Sequence, residues 1–262
     1  MDFVTSTDGT RIAYERSGTG RPIVFATGAF NDHTTCAPVA EQLADDFTVV
    51  TYDRRARGQS GDTRPYAIDR EVEDLAALID IVGGSAAVFG YSSGALLAVH
   101  AAAQKVPITA LALYEAPFAM DAWRQRTDLP ERLDDLVQQG RGGDAVTLFQ
   151  SEGIGLPPEV VAQIRQSPMF PALEAIAQST VYDATITAEF AVPTPALASV
   201  SVPALVMNGA QTWPGLAQAA RSLAGALSDG RHQEIPGGAD HGIPVPATAA
   251  AVREFLSSFL DG

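Results

Sequence analysis

Short runs rich in Val, Ile, Phe and Tyr alternate along this chain with longer segments of helical period, and no other feature constrains the fold as much. The pattern is that of a mainly parallel central sheet wrapped by helices, so the expected class is α/β. The start differs. Asp2–Thr7 and Arg11–Ser17 alternate around Asp8-Gly9-Thr10, an Asp-Gly turn, which predicts an N-terminal antiparallel hairpin. Pro22–Ala26 and Phe47–Tyr52 are apolar enough to be covered on both faces, with a helix near Pro38–Ala44 between them. From Ile68 to Val82 the apolar residues Val72, Leu75, Leu78, Ile79 and Val82 recur at three- and four-residue steps. Acidic residues crowd the first turns, where the helix dipole favours them, and Gly83-Gly84 ends the helix.

Ala86–Phe89 reads as a strand, Ser93–Gln104 as a helix and Ile108–Tyr114 as a strand. From Pro117 to about Ser199 the pattern turns helical, interrupted by Pro130, Gly140 to Gly143, Pro157-Pro158, Pro168, Pro171 and Pro193 to Pro195. That stretch is expected to be an inserted helical cap, residues 117–199, dividing a core made of residues 1–116 and 200–262. Alternation resumes with a strand at Ala204–Met207, a helix near Leu216–Leu227, a strand around Gln233–Ile235 and a closing helix near Thr248–Leu260.

Composition excludes several functions. The chain has 262 residues, 46% of them hydrophobic, which supplies a large core and argues against disorder. Lys+Arg 17 against Asp+Glu 31 gives a net charge of −14, and no basic stretch exceeds Arg54-Arg55-Ala56-Arg57. Such a surface repels phosphate backbones and anionic lipid, so neither nucleic acid nor membrane is an expected partner. The lone Cys36 forms no internal disulfide, and Met1-Asp2-Phe3-Val4-Thr5 lacks the features of a signal peptide, so a cytoplasmic location is expected. The uncharged run Gly83 to Gln104 is punctuated by glycines, serines and His100 and reads as strand, turn and helix, not as a membrane span. No metal-ligand spacing occurs, so no metal or cofactor is implied. Gly58-Gln59-Ser60-Gly61 and Gly140-Arg141-Gly142-Gly143 match no phosphate-binding fingerprint and read as loops.

Gly90-Tyr91-Ser92-Ser93-Gly94 has the form G-x-S-x-G and stands where a strand becomes a helix. Glycines on either side let the chain turn sharply and leave Ser92 exposed at a helix N-terminus, as a nucleophile requires. A serine hydroxyl needs a positioned base at neutral pH. Of the four histidines, His100 is expected beside the core, His232 in solvent, and His33 near the mouth of a site but upstream of Ser92. His241, in the loop Pro236-Gly237-Gly238-Ala239-Asp240-His241-Gly242 after the last strand, is the best candidate.

Strand, G-x-S-x-G, helix, cap and a late Gly-rich loop with His resemble the α/β-hydrolase fold over nearly the whole chain. Tyr52-Asp53-Arg54-Arg55-Ala56-Arg57-Gly58-Gln59-Ser60 is similar to that family's loop after the fourth strand, where Asp and Gly are structural. Phe25-Ala26-Thr27-Gly28-Ala29-Phe30 stands where the family has its oxyanion loop, with Thr27-Gly28 in place of the common His-Gly. The resemblance implies an oxyanion hole from the N–H groups of Ser93 and Ala29, with Phe30 as the alternative to Ala29. It also implies an acid after the seventh strand, but Asn208-Gly209-Ala210-Gln211-Thr212-Trp213-Pro214 holds no carboxylate. Glu115, at the carboxyl end of the sixth strand, is the candidate in its place, an arrangement similar to some haloalkane dehalogenases. Asp240 is a weaker one, since consecutive loop residues point apart.

The expectation is therefore a cofactor-independent serine hydrolase with Ser92, His241 and Glu115 as its triad. Its partner would be a small ester, lactone or thioester held in an apolar pocket bordered by Phe30, Phe118, Met120, Trp123 and Trp213. Two alternatives stay open: a lyase, acyltransferase, cyclase or cofactor-free oxygenase on the same fold, or a small-molecule binder that has lost turnover.

Overall fold

The structure, a computed structural model, describes residues 1–191 and 193–258. Eight strands form one sheet: β1 (Asp2–Thr5), β2 (Arg11–Ser17), β3 (Arg21–Ala26), β4 (Phe47–Tyr52), β5 (Ala86–Tyr91), β6 (Ile108–Tyr114), β7 (Ala204–Gln211) and β8 (Gly230–Ala239). Their spatial order is β1-β2-β4-β3-β5-β6-β7-β8. The hairpin β1–β2 is antiparallel, β2 meets β4 antiparallel, and every later pairing is parallel. The fold is thus the expected α/β-hydrolase type. All side chains of β4 and β5 are buried, because helices cover both faces of the sheet.

Those helices are α1 (Ala37–Leu43), α2 (Ile68–Asp80) and α3 (Ser93–Ala103), then α4 (Asp121–Arg124), α5 (Leu129–Gln138), α6 (Gly142–Leu148), α7 (Pro158–Arg165), α8 (Phe170–Ala175) and α9 (Ala177–Glu189), and finally α10 (Pro214–Ala226) and α11 (Val245–Ser257). One face of the sheet packs on α2, α3 and α10 through residues such as Leu75, Leu97 and Leu223. The other packs on α1 and α11 through Val39, Leu43, Val252 and Phe255. Among the described residues no helix is long and apolar enough to cross a membrane. The expected closing helix ends at Ser257; positions 259 and 260 of that expectation lie outside the described residues.

Between β6 and β7 the described chain is helical, as its pattern suggests, but the prolines act differently from the reading as breaks. Pro130, Pro158 and Pro171 sit in the first turns of α5, α7 and α8. The N–H that proline lacks has no partner in a first turn, so proline starts these helices. The expected loop after the last strand is shorter than read, since Gly237, Gly238 and Ala239 continue β8, with Ala239 opposite Gln211 after a register shift. A Cβ at Gly209 would stand 2.6 Å from the Gly238 carbonyl oxygen, so only paired glycines allow the two backbones to approach this closely.

The arginines of the basic run lie inside the protein. Arg54, Arg55 and Arg57 are buried, and two of the acids of α2 face them inside the protein. Arg54 forks onto Glu71 with two bonds of 2.7 Å, and Arg55 onto Asp74 with bonds of 2.8 and 2.7 Å. Glu71 and Asp74 therefore serve as buried counter-ions as well as complementing the helix dipole. From α9, Asp183 meets Arg54 at 2.8 Å, and the neighbouring Tyr182 stacks on Tyr66 at 3.7 Å, fastening the helical segment to the core.

Removing one member of such a pair strands a charge in the interior. Arg55→Met, which leaves Asp74 unpaired, should lower unfolding free energy by about 3–5 kcal/mol in urea titrations. The double variant Arg55→Met/Asp74→Leu should recover most of that loss; equal stability of Arg55→Met and the native chain would show that the pair stabilises nothing.

Candidate active site

Ser92 stands at the junction of β5 and α3 with φ 56° and ψ −125°, a conformation that L-residues rarely adopt. Crowding enforces it. A Cβ on Gly90 would lie 2.4 Å from Ala95 Cα, and one on Gly94 would lie 2.2 Å from the Ala26 carbonyl oxygen. Gly28 presses against the serine itself, where a Cβ would sit 2.6 Å from Ser92 Cβ. The backbone N–H of Ser92 donates to Tyr114 O at 2.9 Å, tying the turn to the end of β6.

Glu115 follows directly, fully buried, with φ 50°. Its own N–H donates to Met207 O at 2.9 Å, and its Oε1 accepts the Gly209 N–H at 2.8 Å. The other oxygen, Oε2, lies 2.5 Å from His241 Nδ1. The structure therefore brings Glu115 and His241 together, although they are separated by 126 positions. Asp240 and His241 both have positive φ, 49° and 66°, so the backbone reverses sharply here and Asp240 is left exposed.

Two tyrosines hold that reversal. Tyr91 Oη donates to His241 O at 2.7 Å and Tyr114 Oη to Gly242 O at 2.9 Å. Burial, reinforced by the Glu115 charge, pushes both phenols above their ordinary pKa, so they remain protonated donors. The imidazole is flanked by the rings of Tyr91 and Trp213, at centroid distances of 5.0 and 5.8 Å.

The remaining histidines are engaged elsewhere. His33, expected near the mouth of a site, has Nδ1 2.7 Å from Asp53 Oδ1 instead. Asp53 also accepts the N–H groups of His33 and Gln59, which makes it the structural residue that the family resemblance implied. Asp32, His33 and Asp53 have possible ligand atoms within 4.8 Å of one another, and Asp53, within that cluster, accepts these N–H bonds. His100 packs edge-on against Phe190. His232 contacts Asn208 Oδ1 at 2.6 Å, and burial holds its pKa below the ordinary value. Gln211 is exposed at the end of β7.

Ser92 and His241 line one cavity of about 170 Å³ at the carboxyl edge of the sheet. Among the described residues no hydrogen bond joins the serine hydroxyl to the imidazole, and the shared cavity is what relates them. Ala29 and Ser93 line it too, and neither backbone N–H is engaged by another described residue. Of the apolar residues expected there, Met120, Trp123 and Trp213 are present. Phe118 is not: just past the end of β6 it is buried in the core against the α3 face. Phe30 is not either: with a positive φ of 61° it packs edge-on against Phe149 at 5.5 Å. Phe149 and Ile154 bound a single π-helical segment and take that wall, with Thr187 and Leu216 completing it. The register of such a bulge cannot be read from apolar spacing.

A family model described as "Alpha/beta hydrolase family" matches residues 23–255. A solved alpha/beta hydrolase from Sphaerobacter thermophilus is 46% identical, with TM-score 0.87 over 97% of this chain and 100% of that one. An esterase from Thermogutta terrifontis is 25% identical, with TM-score 0.73 over 98% of each chain. A Mycobacterium tuberculosis protein provisionally named non-heme bromoperoxidase BpoC is 26% identical over 94% of this chain and 98% of its own.

The two tyrosine bonds make a direct prediction about the loop that carries His241. Tyr91→Phe and Tyr114→Phe should each cost about 1–2 kcal/mol of stability and speed amide hydrogen exchange at residues 240–243. Exchange at native rates in both variants would mean that the loop is held by other contacts.

Proposed function

The chain belongs to the alpha/beta hydrolase family, and from that premise we propose that it is a cofactor-independent serine hydrolase acting on a small, uncharged, largely apolar ester, lactone or thioester. The observation that carries this reading is the contact between His241 Nδ1 and buried Glu115 Oε2 at 2.5 Å, with Ser92 and His241 on the same cavity. Bonding at Nδ1 leaves Nε2 to take the serine proton, and the carboxylate stabilises the imidazolium that results. Ser92 Oγ attacks the carbonyl, and the N–H groups of Ala29 and Ser93 receive the developing oxyanion. His241 then returns its proton to the leaving alcohol or thiol, and water hydrolyses the acyl-enzyme by the same route.

Substrate class follows from the walls. Met120, Trp123, Phe149 and Trp213 offer apolar surface, and no Asp, Glu, Lys or Arg among the described residues lines the cavity. A substrate carrying a free carboxylate, such as a lactone formed from a dicarboxylic acid, would find no counter-charge there. The helical segment of residues 117–199 acts as the cap, since it supplies Pro117, Met120, Trp123, Phe149, Ile154 and Thr187 to the pocket. A second reading, a non-hydrolytic reaction on the same three residues, rests on the relative named for bromoperoxidase chemistry. Release of acid and alcohol in equal amounts from an ester would set it aside.

A fluorophosphonate probe should label Ser92 alone, and Ser92→Ala should abolish labelling and turnover together. Glu115→Gln should lower kcat by roughly 10⁴ with little change in KM. Native turnover in Glu115→Gln would remove the carboxylate from the mechanism.

A further inference from the structure

One buried carboxylate outside the three proposed residues reaches the machinery from behind. Asp183, on α9, has no exposure to solvent, and Arg54, Arg57 and Ser93, which contact it, are all buried. Ser93 Oγ donates to Asp183 Oδ1 at 2.7 Å, and Arg54 Nη1 donates to the same oxygen at 2.8 Å. Arg57 Nη2 lies 3.2 Å from Asp183 Oδ2. Each arginine also grips a carbonyl of the loop facing the serine: Arg54 Nη1 donates to Thr27 O at 3.0 Å and Arg57 Nη1 to Gly28 O at 2.7 Å. Burial alone would raise the Asp183 carboxyl, but Arg57, Arg54 and the Ser93 hydroxyl outweigh it and keep it ionised.

The geometry of a peptide unit gives this arrangement a consequence. In a planar trans peptide the C=O of one residue and the N–H of the next point in opposite directions. Anchoring Gly28 O on Arg57 therefore points the Ala29 N–H away from the arginine, and Ala29 lines the cavity. The second donor, the Ser93 N–H, belongs to the residue whose hydroxyl Asp183 holds. A tie between helix and core could be made as well by apolar packing, which avoids the cost of desolvating ions. Charges that hold the Ser93 hydroxyl and the carbonyl of the peptide unit carrying the Ala29 N–H do more than fasten.

We propose that Asp183, acting through Arg57 and Ser93, is a positioning residue that aims both oxyanion-binding N–H groups at the reacting carbonyl. Because α9 also carries Thr187 into the cavity wall, one turn after Asp183, the same helix links the substrate pocket to the oxyanion donors. This inference rests on the proposed serine-hydrolase reading.

The test compares the native chain with Asp183→Asn and with the charge-balanced double variant Arg57→Met/Asp183→Asn, in which the Arg54 and Glu71 pair remains intact. Active sites are counted by complete fluorophosphonate labelling, kinetics are measured on p-nitrophenyl butyrate, and the affinity of phenylboronic acid reports tetrahedral adduct binding. In both variants kcat per labelled site should fall about 100-fold, with KM within threefold of native and boronate affinity weakened in step with kcat. Should the single variant not fold, the double variant decides alone. A kcat per labelled site within twofold of native, a fall accounted for by lost sites, or a double variant that does not fold would each overturn the proposal, leaving Asp183 a purely structural tie. A native chain that neither labels nor turns over ester overturns the hydrolase reading itself, a result separate from any of these.

Discussion

The contact between a buried Glu115 and the Nδ1 of His241 constrains the rest of the site. For it to form, the carboxyl end of β6 must lie beside the end of β7, which the Glu115 N–H secures by bonding Met207 O. The chain after β8 must then double back over both ends, and residues 240 and 241 achieve this only by taking up positive φ. Ser92, Glu115 and His241 all occupy this costly backbone region, at φ values of 56°, 50° and 66°. Strain gathered at one sheet edge persists because the surrounding packing over-determines it. Here glycine contacts, two tyrosine hydroxyls and the parallel ladder supply that packing.

Much of this was legible in the chain, for reasons that differ between residues. Ser92 shows itself because glycines must flank a turn so tight that a Cβ would collide with backbone. Glu115 becomes the proposed acid through the family resemblance, since residues 208–214 offer no carboxylate and Glu115 ends the sixth-strand apolar run, where some haloalkane dehalogenases have theirs. The doubly covered strands follow from their composition, and the hairpin follows from its Asp-Gly turn. By contrast, Phe30 and Phe118 lie near strand ends, where a rotation of the backbone by one residue decides between pocket and core; chain order carries no such information. The reach of β8 through Gly238 depended on a glycine opposite it in another strand.

The buried ion network was not legible. Neither the run of arginines nor the acid-rich helix start reveals its burial, because burial of charge depends on partners distant in sequence. Asp183 and Arg54 are 129 positions apart, and only the packing of α9 onto the core brings them within bonding distance. The arginines therefore play a structural part that net charge conceals: the surface is acidic, and three of the few cations are spent inside. This concentrates interior charge beneath the turn that carries Ser92, while no Asp, Glu, Lys or Arg among the described residues lines the pocket above it.

The claim that Ser92 is the atom donor to a covalent intermediate is tested most directly by mass. The native chain, mixed with an activated ester and quenched in acid during turnover, should carry the mass of one acyl group, located by peptide mapping to Ser92. Turnover with no added mass at any quench time, or with the acyl group on another residue, would contradict the account.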